Sequence, residues 1–240
     1  MAVHPIGWIL AFAALAAGSV IQGTIGFGSN LFAAPILAVI DPKLVPAPII
    51  ITSLVLNLLV GRRDRGERPW HTMRWPIAGQ VPACVAGAAT VAVVSPEGLA
   101  VLFGALVLIA VGLSVLGRHP RPTPAVSFAA GAASGYMGTT TGIGGPPMAV
   151  VYQRERGEQM RAAFSRFFGV GSVVALLALL AFGQLHLSDL WLATGLLPGV
   201  LFGFWLSRHT IQRLDHTLLR PTLLAVSAAS AVVVMVRALI

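Results

Sequence analysis

Apolar segments recur along nearly the whole chain, at 6–22, 25–40, 45–60, 75–94, 98–116, 125–137, 143–152, 163–183, 189–207 and 217–239. Short connections between them carry most of the arginine. A helix needs about 20 such residues to cross a bilayer. No water is available inside hydrocarbon, so every backbone N–H and C=O must find its partner within the protein. Recurrent runs of this length therefore dictate a polytopic helical membrane protein. Composition agrees: 56% of residues are hydrophobic and 10% charged, where a soluble domain carries about 25% charged residues.

Against that background two stretches stand out, GTIGFGSN at 23–30 and TTTGIGGPP at 139–147. Glycine and threonine clusters of this kind interrupt a helix, and the apolar pieces flanking them are too short to span unaided. Non-helical backbone at membrane depth is tolerated where protein buries it or where it lines a watery cavity. A restarted helix also presents unpaired N–H groups and the positive end of its dipole, which attract an anion. Pro146 and Pro147 suit the first turn of such a helix. A lone glycine in a span usually serves close packing, as expected for Gly195, Gly199 and Gly203 at four-residue spacing. Matched clusters of Gly, Thr and Pro favour a break and a site. A phosphate-gripping loop is excluded, because Gly145 is followed by Pro-Pro and not by Lys-Ser/Thr.

The two clusters are related by a repeat. One fixed offset carries Gly26 onto Gly142, Gly28 onto Gly144, Thr24 onto Thr140, Trp75 onto Trp191, Pro82 onto Pro198 and Gly87 onto Gly203. Residues 1–120 and 121–240 are thus expected to be two membrane repeats. Arginine orients them. Arg62, Arg63, Arg65, Arg68 and Arg74 have no basic counterparts in 177–190, whereas Arg154, Arg156, Arg161 and Arg166 face only Lys43 in 37–50. Under the positive-inside rule the halves run in opposite senses. The basic linker GRHPRPTP, 117–124, and all of the 16 Lys/Arg except Lys43 and Arg237 then lie in the cytoplasm, with both termini external. The expected fold is all-α with two inverted-topology repeats, each a Gly-broken helical hairpin plus about three transmembrane helices.

Inverted repeats interrupted at matching positions point to a transporter's central site. The candidates that could contact a substrate are Gln22, Thr24, Gly26, Gly28, Ser29 and Asn30 at the first break. Thr139, Thr140, Thr141, Gly142, Gly144 and Gly145 are their counterparts at the second. Arg166 is added on its position about two turns into a helix, where it either draws an anion into a cavity or snorkels to the cytoplasmic surface. Asn57 and Gln80 read as interhelical glue.

What is missing narrows the chemistry. All eight acidic residues lie in or beside loops, and the histidines (His4, His71, His119, His186, His209, His216) sit at span ends. Proton relays and cation sites use such groups within spans, so cation transport and membrane-embedded catalysis are disfavoured, and no metal or cofactor is expected. An anion leaving a cell gains about 2.3 kcal/mol per charge per 100 mV of inside-negative potential, so export needs no coupling ion. The charge of +8 is explained by positive loops and not by nucleic acid. Cys84, the single cysteine, excludes an internal disulfide and reads as core filling. The opening MAVHPIGW has neither a basic n-region nor a small-residue cleavage pattern, so no removable signal is expected.

In GTIGFGSNLFAAP (23–35), GYMGTTTGIGGPPMAVVYQ (135–153), the pair Arg161-Ala162 and the two-half layout, the sequence resembles the sulfite exporter TauE/SafE family, the TSUP transporters. GIGGPP with its following Tyr-Gln is the most specific part. This resemblance implies a bacterial inner-membrane transporter of sulfite, sulfonates or other small, often sulfur-bearing, organic anions. It places Gly26, Gly28, Gly142, Gly144 and Gly145 as substrate-lining backbone. The expected function is export of a small anion by alternating access, with a passive anion channel as the alternative. Expected partners are the small anionic substrate and the lipid bilayer, and a homo-oligomer is left open.

Overall fold

The computed structural model describes residues 4–64, 70–115, 120–152, 157–210, 225 and 228–236. The expectations that fall on 65–69, 117–119, 153–156, 211–224 and Arg237 lie outside the described residues. Nine helices order the described chain: α1 (Pro5–Ile25), α2 (Ser29–Ile40), α3 (Ala47–Arg63), α4 (Arg74–Val93), α5 (Pro96–Val115), α6 (Pro124–Thr141), α7 (Gly145–Tyr152), α8 (Glu158–Ala181) and α9 (Leu187–Thr210). Short 3₁₀ turns precede α3 and α4, residues 228–236 are also helical, and the described residues contain no strand.

Six of these segments are long and apolar enough to cross a membrane: α1, 42–63, α4, 96–113, α8 and 187–209. At 1.5 Å per residue a 20-residue helix covers the roughly 30 Å of hydrocarbon. The chain is a multi-pass membrane protein. Large apolar side chains on its outer surface, Leu187, Trp191 and Val93 among them, face lipid, where exposure costs nothing. Helix starts follow local chemistry. His4 caps α1 and Thr123 caps α6 by accepting from Ile6 and Val126 N–H, and proline occupies the first positions of both helices.

Between helices, small residues decide the packing. Lipid is as apolar as leucine, so helices adhere through close van der Waals contact between backbones. α1 lies against α9 and α4 against α6, while α3 packs on α8 and α9, and α8 on α3 and α4. On α9, side chains at Gly195, Gly199 and Gly203 would collide with Trp8, Phe12 and Ala16 of α1. At the second contact, α6 presents Gly131 to Pro76 and Gly135 to Gln80, and α4 presents Gly79 to Phe128. Around α1, α2, α3, α5 and α9 a buried core gathers Leu15, Leu37, Leu44, Ile49, Leu56 and Val107.

A bulky residue at either seam must push two backbones apart. Gly199→Val, whose first carbon would already stand 2.8 Å from the Phe12 carbonyl, is expected to lower stability by about 1–3 kcal/mol. Thermal unfolding of the purified protein in detergent measures this; an unchanged transition would mean that α1 and α9 are not seated through Gly199.

Candidate substrate site

Helix α1 stops at Ile25 because Gly26 adopts a left-handed conformation (φ 99°), its N–H closing on the Gln22 carbonyl at 2.7 Å. Only glycine takes this backbone without strain. Gly28 is left-handed as well (φ 103°), and α2 starts immediately after it with no side-chain cap. The second interruption has the same ending: Gly142 (φ 77°) closes α6 on the Gly138 carbonyl, 2.9 Å away, and α7 begins three residues later. Thr141 steadies the connection, its Oγ1 accepting from Ile143 N–H at 3.1 Å and donating to the Met137 carbonyl at 2.7 Å.

The two connections touch. Phe27 packs against Gly145, whose added carbon would stand 3.7 Å from the Gly28 nitrogen. Asn30 joins them through its amide, which donates to the Gly142 carbonyl and to Ser53 Oγ, both at 2.7 Å. Both amide hydrogens are thereby committed within the protein.

Where the two helix starts meet there is a cavity of about 70 Å³. A buried water needs about 10–15 Å³ on this measure, and drug-sized pockets run to several hundred. The space suits a few waters or one small polyatomic ion. Ser53 and Asn57, Gln80 and Cys84, and Phe168, Gly171 and Ser172 line it, and these residues lie at mid-length of α3, α4 and α8. Among the described residues no Asp, Glu, Lys, Arg or His lines it.

Of the residues picked out by sequence, Gln22, Gly28, Asn30, Thr139, Gly142, Gly144 and Gly145 line this cavity. Thr24, Gly26, Ser29, Thr140 and Thr141 do not. The Thr24 hydroxyl donates to the Val20 and Ile21 carbonyls, and that of Thr140 to Tyr136 and Met137. These are the back-bonds threonine makes inside helices. Gly26 is packed on Arg161 instead. Sequence reasoning passed over Ser53, Ser134 and Ser172, because a serine in a span has no signature that separates a lining position from a packed one. Asn57 does act as glue, its Oδ1 accepting from Gln22 Nε2 at 2.8 Å, yet it also lines the cavity. Gln80, buried at 3% exposure, does so as well.

Arg166 lies elsewhere. It lines a second, largely apolar groove of about 440 Å³ between α3 and α8, with Arg62, Ser165 and Asn57. Asn57 is common to groove and cavity.

At the same end of the bundle is an ionic knot that the sequence did not announce. Asp64, just past α3, is paired with Arg63 (2.9 Å) and with Arg161 of α8 (2.7 Å). Arg63 reaches on to the Gly23 carbonyl and to Ser207 Oγ of α9. Burial pushes the Asp64 carboxyl up, but the hydrogen bonds and charges of the two arginines outweigh it and hold the group below the ordinary 3.8. Removing one member of a buried pair strands the others, at about 3–5 kcal/mol. Asp64→Asn should be destabilised on that order. The depressed pKa makes the knot's contribution complete above pH 3.8 and lost as pH falls through the lower folded value. Unfolding midpoints followed downward in pH test this: wild type should fall toward the variant, and parallel curves would deny the carboxylate its role.

A membrane-spanning helical bundle enclosing, at mid-length, a cavity lined by apolar and neutral polar residues and faced by two helix starts has the build of a membrane transporter. The family model for the sulfite exporter TauE/SafE matches residues 10–234, and the chain belongs to that family. No curated protein and no solved structure matches it.

Proposed function

We propose that this protein exports a small anion of the sulfite or organosulfonate class by alternating access around the cavity between α2 and α7. The observation that carries the reading is the meeting of two helix starts on one small cavity without charged side chains. A helix start is worth about half a positive charge. Opposed starts and neutral hydroxyl and amide groups favour an anion without gripping it, which suits a substrate that must also leave.

Pairing among the helices supports an inverted repeat. Exchanging α1 with α6, α2 with α7, α3 with α8 and α4 with α9 carries the most extensive helix pairings onto one another: α1–α9 becomes α6–α4, and α3–α9 becomes α8–α4, although α6–α8 has no comparably extensive α1–α3 counterpart. The α3–α8 contact maps onto itself. On this reading the arginine-bearing end is cytoplasmic in a bacterial inner membrane. Asn57, held by Gln22, lines both the Arg166 groove and the central cavity. A side chain standing between the two spaces would suit a gated carrier better than a passive channel.

Sulfite flux into proteoliposomes at clamped voltage, with and without a proton gradient, tests the reading. Flux that follows voltage and needs no proton gradient is expected; flux that never saturates with sulfite would return the channel, and none at all would remove sulfite as substrate. Ser53→Asp, which places a carboxylate beside the anion, should cut flux at least tenfold, since two like charges a few Å apart repel by about 4 kcal/mol at a protein surface. Arg166→Gln should raise KM more for divalent than for monovalent anions; equal effects on both would assign Arg166 to the lipid interface.

A further inference from the structure

Among the described residues two buried side-chain polar atoms have no hydrogen-bond partner, Ser19 Oγ and Gln80 Oε1. Ser19 lies where α1 is pressed against Gly203. Gln80 is different, because its residue lines the central cavity. An unpaired buried carbonyl forfeits the hydrogen bond it had with water, so such atoms in folded proteins call for a specific reason.

Nor can Gln80 readily turn away. Its stem lies against Gly135 of α6, where an added carbon would come within 3.0 Å of Gln80 Cα and 3.1 Å of Cγ. Its carboxamide lies over Gly171 of α8, where an added carbon would stand 2.7 Å from Cδ and 3.1 Å from Oε1. Two helices that give up their side chains here hold the plane of the carboxamide, with Nε2 the atom nearest Gly171. The acceptor left without a partner, Oε1, calls for a donor, and a bare oxyanion has none.

The charge argument points the same way. The two helix starts supply at most about one positive charge, and less at α7, where Pro146 and Pro147 carry no N–H; among the described residues no cationic side chain lines the cavity to balance a second negative one. Resting on the anion-transport reading above, we propose that Gln80 Oε1 accepts a hydrogen bond from the substrate itself. The species the cavity prefers is then a singly charged oxyanion bearing an O–H, such as hydrogen sulfite, over a dianion or a donor-free monoanion. Gln80 is thus a specificity-determining residue, and each exported ion takes its own proton with it.

Methylphosphonate and methanesulfonate separate the possibilities. At mildly acidic pH both are singly charged tetrahedral ions with one methyl group, and they differ by one O–H. Calorimetric titration of the purified protein, and inhibition of sulfite flux, should give about a tenfold preference for methylphosphonate, the worth of one such hydrogen bond. In Gln80→Met the preference should vanish through loss of methylphosphonate affinity alone. Methanesulfonate binding, unchanged, then reports that the variant is folded. Equal affinities in the wild type, or a preference that survives in Gln80→Met, would overturn the inference, as would sulfite flux that neither ion slows. If no anion binds and sulfite does not move, it is the transport reading that has failed.

Discussion

Backbone N–H groups that no helix can satisfy are the constraint from which the rest of this structure follows. Each helix leaves its first few N–H groups without an internal partner, and hydrocarbon offers none. α2 and α7 start inside the bundle, so their starts must be surrounded by protein or turned toward a polar space. The chain does both. Gly26 and Gly142 take left-handed conformations that end α1 and α6, Gly28 takes one just before α2, and the new helices begin against each other, with Phe27 on Gly145. What is left between them is the cavity.

Holding that arrangement requires surfaces that fit closely, and glycine supplies them. Gly199 and Gly203 bring α9 onto α1, and Gly131 and Gly135 bring α6 onto α4. Those approaches also set the shape of the cavity, since Gly135 and Gly171 frame Gln80. A methyl group added for packing would therefore also alter the shape of the cavity.

At one end of the bundle the ionic knot of Arg63, Asp64 and Arg161 ties α3, α8 and α9 to the last turn of α1. It concentrates charge outside the cavity while the cavity stays neutral. That division agrees with an anion carrier in which arginines draw the substrate near and backbone dipoles receive it. The groove bearing Arg62 and Arg166 shares Asn57 with the cavity, so on the proposed reading approach and binding would be adjacent but chemically distinct.

The sequence by itself determined the helical membrane bundle, the approximate positions of its described helices and the family. Apolar run length, proline at helix starts and glycine at their ends are local properties, and the motif around Gly142–Pro147 is contiguous. It marked Gln22, Asn30 and Thr139 as polar residues beside glycine clusters, which are cavity-lining positions. Tertiary structure alone decided that Thr24 and Thr140 turn their hydroxyls back on their own helices, that Asp64 is buried between two arginines, and that Ser53 and Gln80 face the same space as Gly28. The physical reason is one of range. A helix break is written in adjacent residues, whereas the side of a helix that meets a cavity depends on which other helices crowd it, and those come from the far half of the chain.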